Sequence, residues 1–467
     1  MKRSGDKKKE RQAHRRAMES GDADAAARAA LDLAVLEEDS GNTAEAREAY
    51  RWAMDAQHEE ISPVAAFCLG TLESAAGNLD EARRAYEKAA QSGHMGSAPL
   101  AAFNLGLLEE EAGNLDKSRE AYRKASDSGH AEAAPQAANK LAMLEEEAGN
   151  AKGARDAYER AIAWGHADVS PRACLRLGVL EIACGNVEAA RQAFRRTVES
   201  GHPESAPFAA FSLGLLEEKE RNVEAARQAY SRAMESGDVD AAFRLGQLEN
   251  SAGNDEAARE AYGWVVGSGD PDAAPCAACN LALLEERHGN RERARELLLW
   301  TINTGHEASA PFAAYKLGML EEREDNLEAA REAYRWSMDA GDAEAAFRLG
   351  ILEKSAGNLD RAREAFMWVM GSDASAAAAA AVELGLIEKD AGDFKRAGEL
   401  FRWARDSGDG KVAPRAAFNL AVLERTEGDM TKARKSYHWA YCRAMECDDL
   451  DVAQLAAARI RDIDGSV

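Results

Sequence analysis

A ten-residue phrase of the form LGxLExxAGN recurs along the whole chain and constrains its fold more than any other feature. Its last position is Asn in ten copies and Asp in two, at Asn42, Asn78, Asn114, Asn150, Asn186, Asn222, Asn254, Asn290, Asn326, Asn358, Asp393 and Asp429. Successive copies lie 36 residues apart, except for two intervals of 32 and one of 35. A period of this length is typical of a solenoid, in which each unit packs only on its neighbours.

Each unit is predicted to contain two helices, which we call helix A and helix B. In the second unit, helix A is expected over about 63–76 and helix B over about 79–91. Eight of the ten prolines share one phase, the first turn of helix A, where a missing amide proton costs nothing. Gly77 can adopt the left-handed conformation that ends helix A, and Asn78 with Glu81 fits a capping pattern that opens helix B.

The repeats divide the chain into three predicted segments. Residues 1–21 form a basic arm and a half-repeat helix, because residues 12–22 match the helix B of a later unit at 228–238. Residues 22–447 contain the twelve tandem repeats, and residues 448–467 contain a final helix and tail that can cap the stack. The predicted fold class is therefore all-α, a solenoid of about twelve antiparallel helix pairs.

The pattern within one repeat resembles that of the tetratricopeptide superfamily. The residues that carry this resemblance in the second unit are Leu69, Gly70, Gly77, Ala82, Tyr86, Ala89 and Gly93. The segment 333–350, AYRWSMDAGDAEAAFRLG, is similar to the Sel-one-like branch of that superfamily. The resemblance implies a right-handed superhelix whose A helices line a concave groove, and a role as a protein-interaction scaffold.

The charge of the chain argues against a general nucleic-acid partner. The net charge is −23, and so acidic a surface repels a phosphate backbone. Residues 1–16 are the local exception, with eight basic and two acidic side chains; this arm is either a solvated helix start or a tether to nucleic acid or a membrane surface. Seven cysteines and the absence of a long apolar run favour a cytoplasmic protein that does not enter a membrane.

Helix A carries a Glu in every repeat, at Glu37, Glu73, Glu109, Glu145, Glu181, Glu217, Glu249, Glu285, Glu321, Glu353, Glu388 and Glu424. Helix B carries an Arg in eleven of the twelve, at Arg47, Arg83, Arg119, Arg155, Arg191, Arg227, Arg259, Arg295, Arg331, Arg363 and Arg434, whereas Gly398 takes that place in the remaining one. Because the Glu phase lies within the apolar stripe, we expect ion pairs that join the helices, within one repeat or between neighbours. The alternative is a row of catalytic acids.

A second column of helix A is predicted to face away from its own helix pair. Its candidate partner-binding residues are Phe67, Phe103, Leu107, Phe211, Leu215, Phe243, Tyr315, Met319, Phe347, Ile351 and Phe418. These side chains either pack one helix A against the next or form an apolar floor that receives a partner segment.

Tryptophan occupies one phase of helix B in six consecutive repeats, and we call these residues the tryptophan strip: Trp264, Trp300, Trp336, Trp368, Trp403 and Trp439. The same phase in the five repeats before them is basic, at Lys88, Lys124, Arg160, Arg196 and Arg232. Each indole either folds over the neighbouring repeat and is mostly buried, or contributes to a surface for partner binding or self-association.

Metal and catalytic sites are not predicted. Six histidines share one phase, but successive repeats stand about 10 Å apart, so these side chains cannot converge on one ion. Cys276 and Cys279 form a lone C-x-x-C with no second pair at zinc spacing. No phosphate-binding loop, nucleophile elbow or HExxH pattern occurs, and no cofactor is expected.

The sequence therefore favours a cytoplasmic, non-enzymatic scaffold or adaptor that binds protein or peptide on its helix-A side. One alternative is a structural homo-oligomer, which the tryptophan strip could join. Another is a helical-repeat reader of single-stranded RNA, which the acidic surface and the apolar facing column disfavour.

Overall fold

The computed structural model describes residues 2–372 and 375–465, with side chains from residue 7 onwards. Met1 of the predicted arm and residues 466–467 of the predicted tail lie outside the described residues. Twenty-six helices and no strand are present in this part of the chain, which confirms the all-α prediction. The chain divides into two compact units, Met1–Ala241 (unit 1) and Ala242–Val467 (unit 2).

The helices follow the sequence period. The first thirteen are α1 Lys2–Met18, α2 Ala23–Glu38, α3 Thr43–Asp55, α4 Ile61–Ala75, α5 Leu79–Gln91, α6 Ser97–Glu111, α7 Leu115–Ser126, α8 Ala133–Glu147, α9 Ala151–Ala163, α10 Val169–Ala183, α11 Val187–Glu199, α12 Ser205–Lys219 and α13 Val223–Glu235. The others are α14 Val239–Ala252, α15 Asp255–Ser268, α16 Ala273–Arg287, α17 Arg291–Thr304, α18 Ser309–Arg323, α19 Leu327–Asp339, α20 Ala343–Ser355, α21 Leu359–Gly371, α22 Ala377–Asp390, α23 Phe394–Asp406, α24 Ala413–Thr426, α25 Met430–Glu446 and α26 Leu450–Asp464. Even numbers from α2 to α24 are A helices, and odd numbers from α3 to α25 are B helices.

Small residues let the two helices of a repeat approach closely. Ala66 of α4 and Ala82 of α5 are fully buried, as is Tyr86, whose ring lies against Gly70. A Cβ atom at Gly70 would stand 2.6 Å from Cδ1 of that ring, so only glycine fits there. Burial of a large ring over a glycine thus sets the separation of the pair.

The turn between the helices differs from the sequence prediction in one respect. Gly77 has φ +78° and ends α4 as expected. The Asn78 side chain, however, makes no cap hydrogen bond to α5; its Nδ2 donates instead to Oε2 of Glu73 at 2.7 Å. The predicted Asn78–Glu81 capping pattern is therefore wrong. The buried carboxylate of Glu73 needs a donor, and the amide group of Asn78 supplies it.

The two sides of each unit pack differently. Successive A helices lie against each other, as α4 does against α6 and α22 against α24. Successive B helices make at most marginal contact in the described part of the chain. At these junctions the helix-A side is therefore more closely packed than the helix-B side.

Candidate functional site

The prediction that the aromatic rings of the helix-A column face away from their own helix pair is wrong, because these rings are half-buried within their repeats. Each ring packs on an aromatic ring of helix B in its own repeat, with centroids 5.3–6.3 Å apart. The pairs are Phe67–Tyr86, Phe103–Tyr122, Phe211–Tyr230, Phe243–Tyr262, Tyr315–Tyr334, Phe347–Phe366 and Phe418–Tyr437. One edge of each ring therefore stabilises the repeat, and the other contributes to the outer surface of helix A.

Apolar residues one turn further along extend this surface, which we call the helix-A face. Leu107, Met319 and Ile351 are half-buried, and Leu215 is exposed. Each follows an aromatic residue of the column by four positions and so lies beside it on the same side of the helix. The helix-A face therefore combines aromatic edges with aliphatic side chains, as an apolar floor requires.

The face deepens between α10 and α12 into a cleft of about 320 Å³. Its walls include Val179, Ile182, Phe194 and Leu215, and we call it the apolar cleft. Val179 and Ile182 are 48% and 41% exposed, so both side chains are open to solvent at the cleft. Exposed aliphatic side chains around a concave space are typical of a site that receives an apolar group.

The apolar cleft lies where repeat 5 replaces a hydrogen-bonded pair that five other repeats contain. In repeat 4, the hydroxyl group of Tyr158 donates to Oε2 of Glu146 at 2.7 Å, and this bond together with burial raises the pKa of the tyrosine. Equivalent bonds join Tyr50 to Glu38, Tyr122 to Glu110, Tyr230 to Glu218 and Tyr334 to Glu322. Repeat 5 has Phe194 and Ile182 at these two positions. This exchange was not predicted, although the paired change is visible when the repeats are aligned.

The buried Glu of helix A pairs with an Arg from the preceding repeat, which is one of the two arrangements expected. Nε of Arg191 lies 2.6 Å from Oε1 of Glu217, and Arg363 approaches Glu388 at 3.1 Å. The same row continues at both ends of the stack, where Arg11 of α1 pairs with Glu37 at 3.0 Å. Arg434 pairs at 2.6 Å with an aspartate of α26, Asp464.

These carboxylates are held ionised by their donors. Burial alone would raise the pKa of Glu73, but hydrogen bonds from Arg47 and Asn78 outweigh it, so its pKa lies below the usual value. The hydrogen bond from Arg155 is the largest influence on Glu181 and lowers its pKa as well. A buried carboxylate with a lowered pKa is a poor general acid near neutral pH, which favours the structural interpretation of the row.

Glu424 departs from the row. Gly398 takes the place of the preceding Arg, and Asp429 takes the place of the Asn that would donate an amide. Glu424 is only half-buried and accepts a hydrogen bond from Oγ of Ser436 at 2.7 Å. The neutral hydroxyl group of Ser436 thus takes the place of the arginine and asparagine donors, at a position where the Glu424 carboxylate remains partly exposed to water.

The indole rings of the tryptophan strip are partly exposed to solvent. Five of its six side chains are between 37% and 45% exposed, and Trp264 is half-buried. In unit 1 the helix-B residues at the same phase are basic, and two of them, Lys124 and Arg196, line clefts between successive repeats. Two basic residues of this phase bridge to the preceding repeat: Lys88 to Asp55 at 2.8 Å and Arg160 to Asp127 at 2.9 Å.

The histidine column has a local structural role. Nδ1 of His94 accepts a hydrogen bond from the backbone N–H of Ser97 at 3.0 Å, and its Nε2 lies 3.1 Å from Glu60 of the preceding repeat.

The cysteine pair shows no sign of a reactive or metal-binding site. Burial raises the pKa of the Cys279 thiol to about 11. Within the described ranges, no three His, Cys, Asp or Glu side chains are disposed to hold a metal ion. No helix there combines the length and apolar character needed to cross a bilayer.

Comparison with known families adds to this geometry. A family model for the tetratricopeptide repeat matches residues 68–131, 175–238, 211–274 and 382–441. The chain belongs to the tetratricopeptide-repeat superfamily. Tetratricopeptide repeats generally serve as protein-interaction scaffolds and are typically not enzymes, so the family gives this chain its broad functional class.

Solved structures of other repeat proteins are similar to this tetratricopeptide-repeat chain. The protective antigen c5321 of uropathogenic Escherichia coli, described as displaying an SLR fold, is 21% identical with a TM-score of 0.45, covering 97% of each chain. A Sel1 repeat protein from Oxalobacter formigenes is 18% identical with a TM-score of 0.43, covering 63% of this chain and 87% of its own. Yeast Tom70 is 13% identical with a TM-score of 0.34, covering 94% and 96%. The search of curated proteins gave no match.

Proposed function

We propose that this protein is a cytoplasmic adaptor that holds a protein or peptide partner on its helix-A face, with the apolar cleft as the main anchoring point. The observation that carries the proposal is the joint replacement of a tyrosine and a glutamate by the apolar residues Phe194 and Ile182, since each of the other eleven repeats keeps a polar or charged residue at one of these two positions or at both. An apolar side chain of the partner fills the cleft, and neighbouring residues of the partner lie along the aromatic edges.

The chemistry of the face favours a protein partner over nucleic acid. Val179, Ile182 and Leu215 offer apolar contact, whereas a nucleic acid would need basic side chains for its phosphates. The net charge of −23 adds long-range repulsion of polyanions. The tryptophan strip supplies a second, separate surface for a protein segment.

The test converts repeat 5 into a copy of its neighbours. The double variant Ile182→Glu/Phe194→Tyr introduces the tyrosine–glutamate hydrogen bond seen in repeat 4 and closes the cleft without leaving a buried charge unpaired. Partners captured from cells by the unmodified protein are identified by mass spectrometry, and their affinity for each variant is measured by calorimetry. We expect the double variant to lose at least ten-fold in affinity while it keeps its melting temperature.

The matched control is Leu115→Glu. Leu115 is 40% exposed, close to the 38% of Leu215, but it lies at the start of a B helix. This control tests whether any added surface charge weakens binding. Equal affinity of the double variant and the unmodified protein would show that the cleft is not the anchoring point.

A further inference from the structure

The tryptophan strip is accompanied by a row of glutamates. In five consecutive repeats a Glu stands four residues before the Trp, at Glu260, Glu296, Glu332, Glu364 and Glu399. Side chains four residues apart lie next to each other on one face of a helix. All five glutamates are exposed, so unit 2 presents indole rings beside carboxylates on its B helices.

Most of these carboxylates are not used inside the molecule. Glu296 pairs with Arg293 at 2.9 Å. No Lys or Arg of the described residues lies within ion-pair distance of Glu260, Glu332, Glu364 or Glu399. A row of unpaired negative charges beside indole rings is complementary to a cationic group rather than to an anion or a purely apolar segment.

Bare backbone flanks the first indole of the strip. Gly263 and Gly267 lie on either side of Trp264 in α15, and a Cβ atom at either position would have no neighbour within 4 Å. Glycine is less favourable than alanine within a helix. The glycine of the preceding helix, Gly246, is explained by the ring of Tyr262 against it, but no contact inside the molecule explains the other two. They leave room for a partner chain beside the indole.

One indole of the strip already holds a cation. The guanidinium carbon of Arg405 lies 6.0 Å from the centre of the Trp439 ring, with the arginine supplied by the preceding repeat. Arginine stacks on indole through both its charge and its planar shape. Trp300, Trp336 and Trp368 have the same phase and similar exposure.

We propose that the tryptophan strip, together with its row of glutamates, binds an arginine-bearing segment of a partner protein, with each guanidinium group stacked on an indole and paired with the adjacent carboxylate. This inference rests on the proposed function, since it specifies one partner surface of the scaffold. It concerns unit 2 only and does not depend on the apolar cleft.

The repeat spacing defines the pattern that the segment should carry. Successive B helices of the described chain make at most marginal contact, so their indoles stand at least about 10 Å apart, the upper packing distance of contacting helices. A segment in the polyproline II conformation has three residues per turn and advances about 3.1 Å per residue, so every third side chain lies on the same face, about 9 Å from the one before it. Arginine at every third position therefore presents one guanidinium group to each successive indole, whereas adjacent arginines point to different faces of the segment.

The experiment uses the full chain and two synthetic peptides of identical composition. One peptide has four arginines at every third position in a Gly/Ser background, and the other has its four arginines in succession. Binding is followed by calorimetry and by the change in tryptophan fluorescence. We expect the spaced peptide to bind at least ten-fold more tightly than the clustered one. Equal affinities would reduce the strip to a non-specific acidic surface and overturn the proposal.

Variants separate the indoles from the carboxylates. Trp300→Lys/Trp336→Lys introduces the residue type found at this phase in unit 1, and Glu296→Gln/Glu332→Gln keeps the shape of exposed side chains that the fold does not need. Both are expected to abolish the preference for the spaced peptide. The matched control is Trp52→Lys, because Trp52 is 41% exposed and follows Glu48 by four residues but is the only tryptophan in this phase of helix B in unit 1. Loss of binding in the control and not in the strip variants would contradict the proposal.

Two further outcomes are distinguished by the same set of proteins. If the protein self-associates in light scattering and removal of residues 2–9, which leaves the Arg11–Glu37 pair in place, abolishes both this association and strip occupancy, the occupant is the basic arm of a second copy and a partner protein is excluded. The cleft variant Ile182→Glu/Phe194→Tyr is expected to bind the spaced peptide normally. Failure of the strip therefore leaves the cleft hypothesis standing, and failure of the cleft leaves the strip hypothesis standing.

Discussion

The ammonium group of Lys354 lies 2.6 Å from a carboxylate oxygen of Glu383, and this pair reverses one found earlier in the chain. Lys354 ends helix A of one repeat, and Glu383 lies in helix A of the next. In unit 1 the corresponding positions hold Glu110 and Lys140, which are 3.2 Å apart. Both parts of the chain thus have an ion pair between successive A helices, but the positive and the negative residue are exchanged.

This reversal predicts that the two charges can be exchanged. Lys354→Glu should destabilise unit 2 by about 1 kcal/mol, because it places two partly buried carboxylates side by side. The double variant Lys354→Glu/Glu383→Lys should recover most of that loss, as measured by urea unfolding. If both variants are equally unstable, the contact does not act through charge.

The buried carboxylate row makes Glu73 a sensitive position. Glu73→Ala should destabilise by about 3 kcal/mol, since it leaves Arg47 and Asn78 without their acceptor. The value lies at the low end for a broken buried pair because Arg47 keeps a quarter of its side chain in water. Hydrogen exchange of α4 and α5 measures the local effect. Glu81→Ala is the control, since that carboxylate is 39% exposed, and a similar loss there would contradict the prediction.

Stability should fall on acidification because of the same row. Glu73, Glu109, Glu181, Glu217 and Glu321 all have pKa values below the usual 4.5. A lowered pKa in the folded state stabilises the fold fully above the unfolded value, and this contribution disappears as the pH falls through the folded value. The unfolding midpoint in urea should therefore drop below about pH 4.5, and less steeply in Glu73→Gln. A flat profile from pH 6 to pH 3 would rule this out.

Two glycines should respond in opposite directions to the same substitution. Gly70→Ala should destabilise by about 1–3 kcal/mol, because its Cβ would overlap the ring of Tyr86 and force the helices apart. Gly263→Ala should stabilise by about 0.5–1 kcal/mol, since the added methyl group meets nothing and the unfolded chain loses freedom. Melting temperatures of the two variants decide this. A loss in both would mean that α15 packs more tightly than described.

The repeat period alone was sufficient to predict the helix pairs. A local pattern that recurs every 36 residues in most of the chain predicts the order of the helices and the phases of Leu69, Tyr86 and Gly77. The same pattern predicts that Glu73 must be paired. Local patterns are readable because each repeat contacts only its neighbours, so few long-range contacts compete with them. For the same reason each aromatic residue of the helix-A column meets the same partner position, the helix-B ring of its own repeat.

Only the tertiary structure decided which groups meet between repeats. The sequence left open whether Arg191 pairs within its own repeat or with Glu217 of the next, and it assigned the wrong role to Asn78. It also left open whether Trp300 is buried, which depends on how neighbouring B helices are spaced. The apolar cleft around Ile182 arises from two positions twelve residues apart that touch only when the helices pack. A periodic sequence fixes which face a residue occupies, whereas the distance between faces is set by side-chain packing across the repeats.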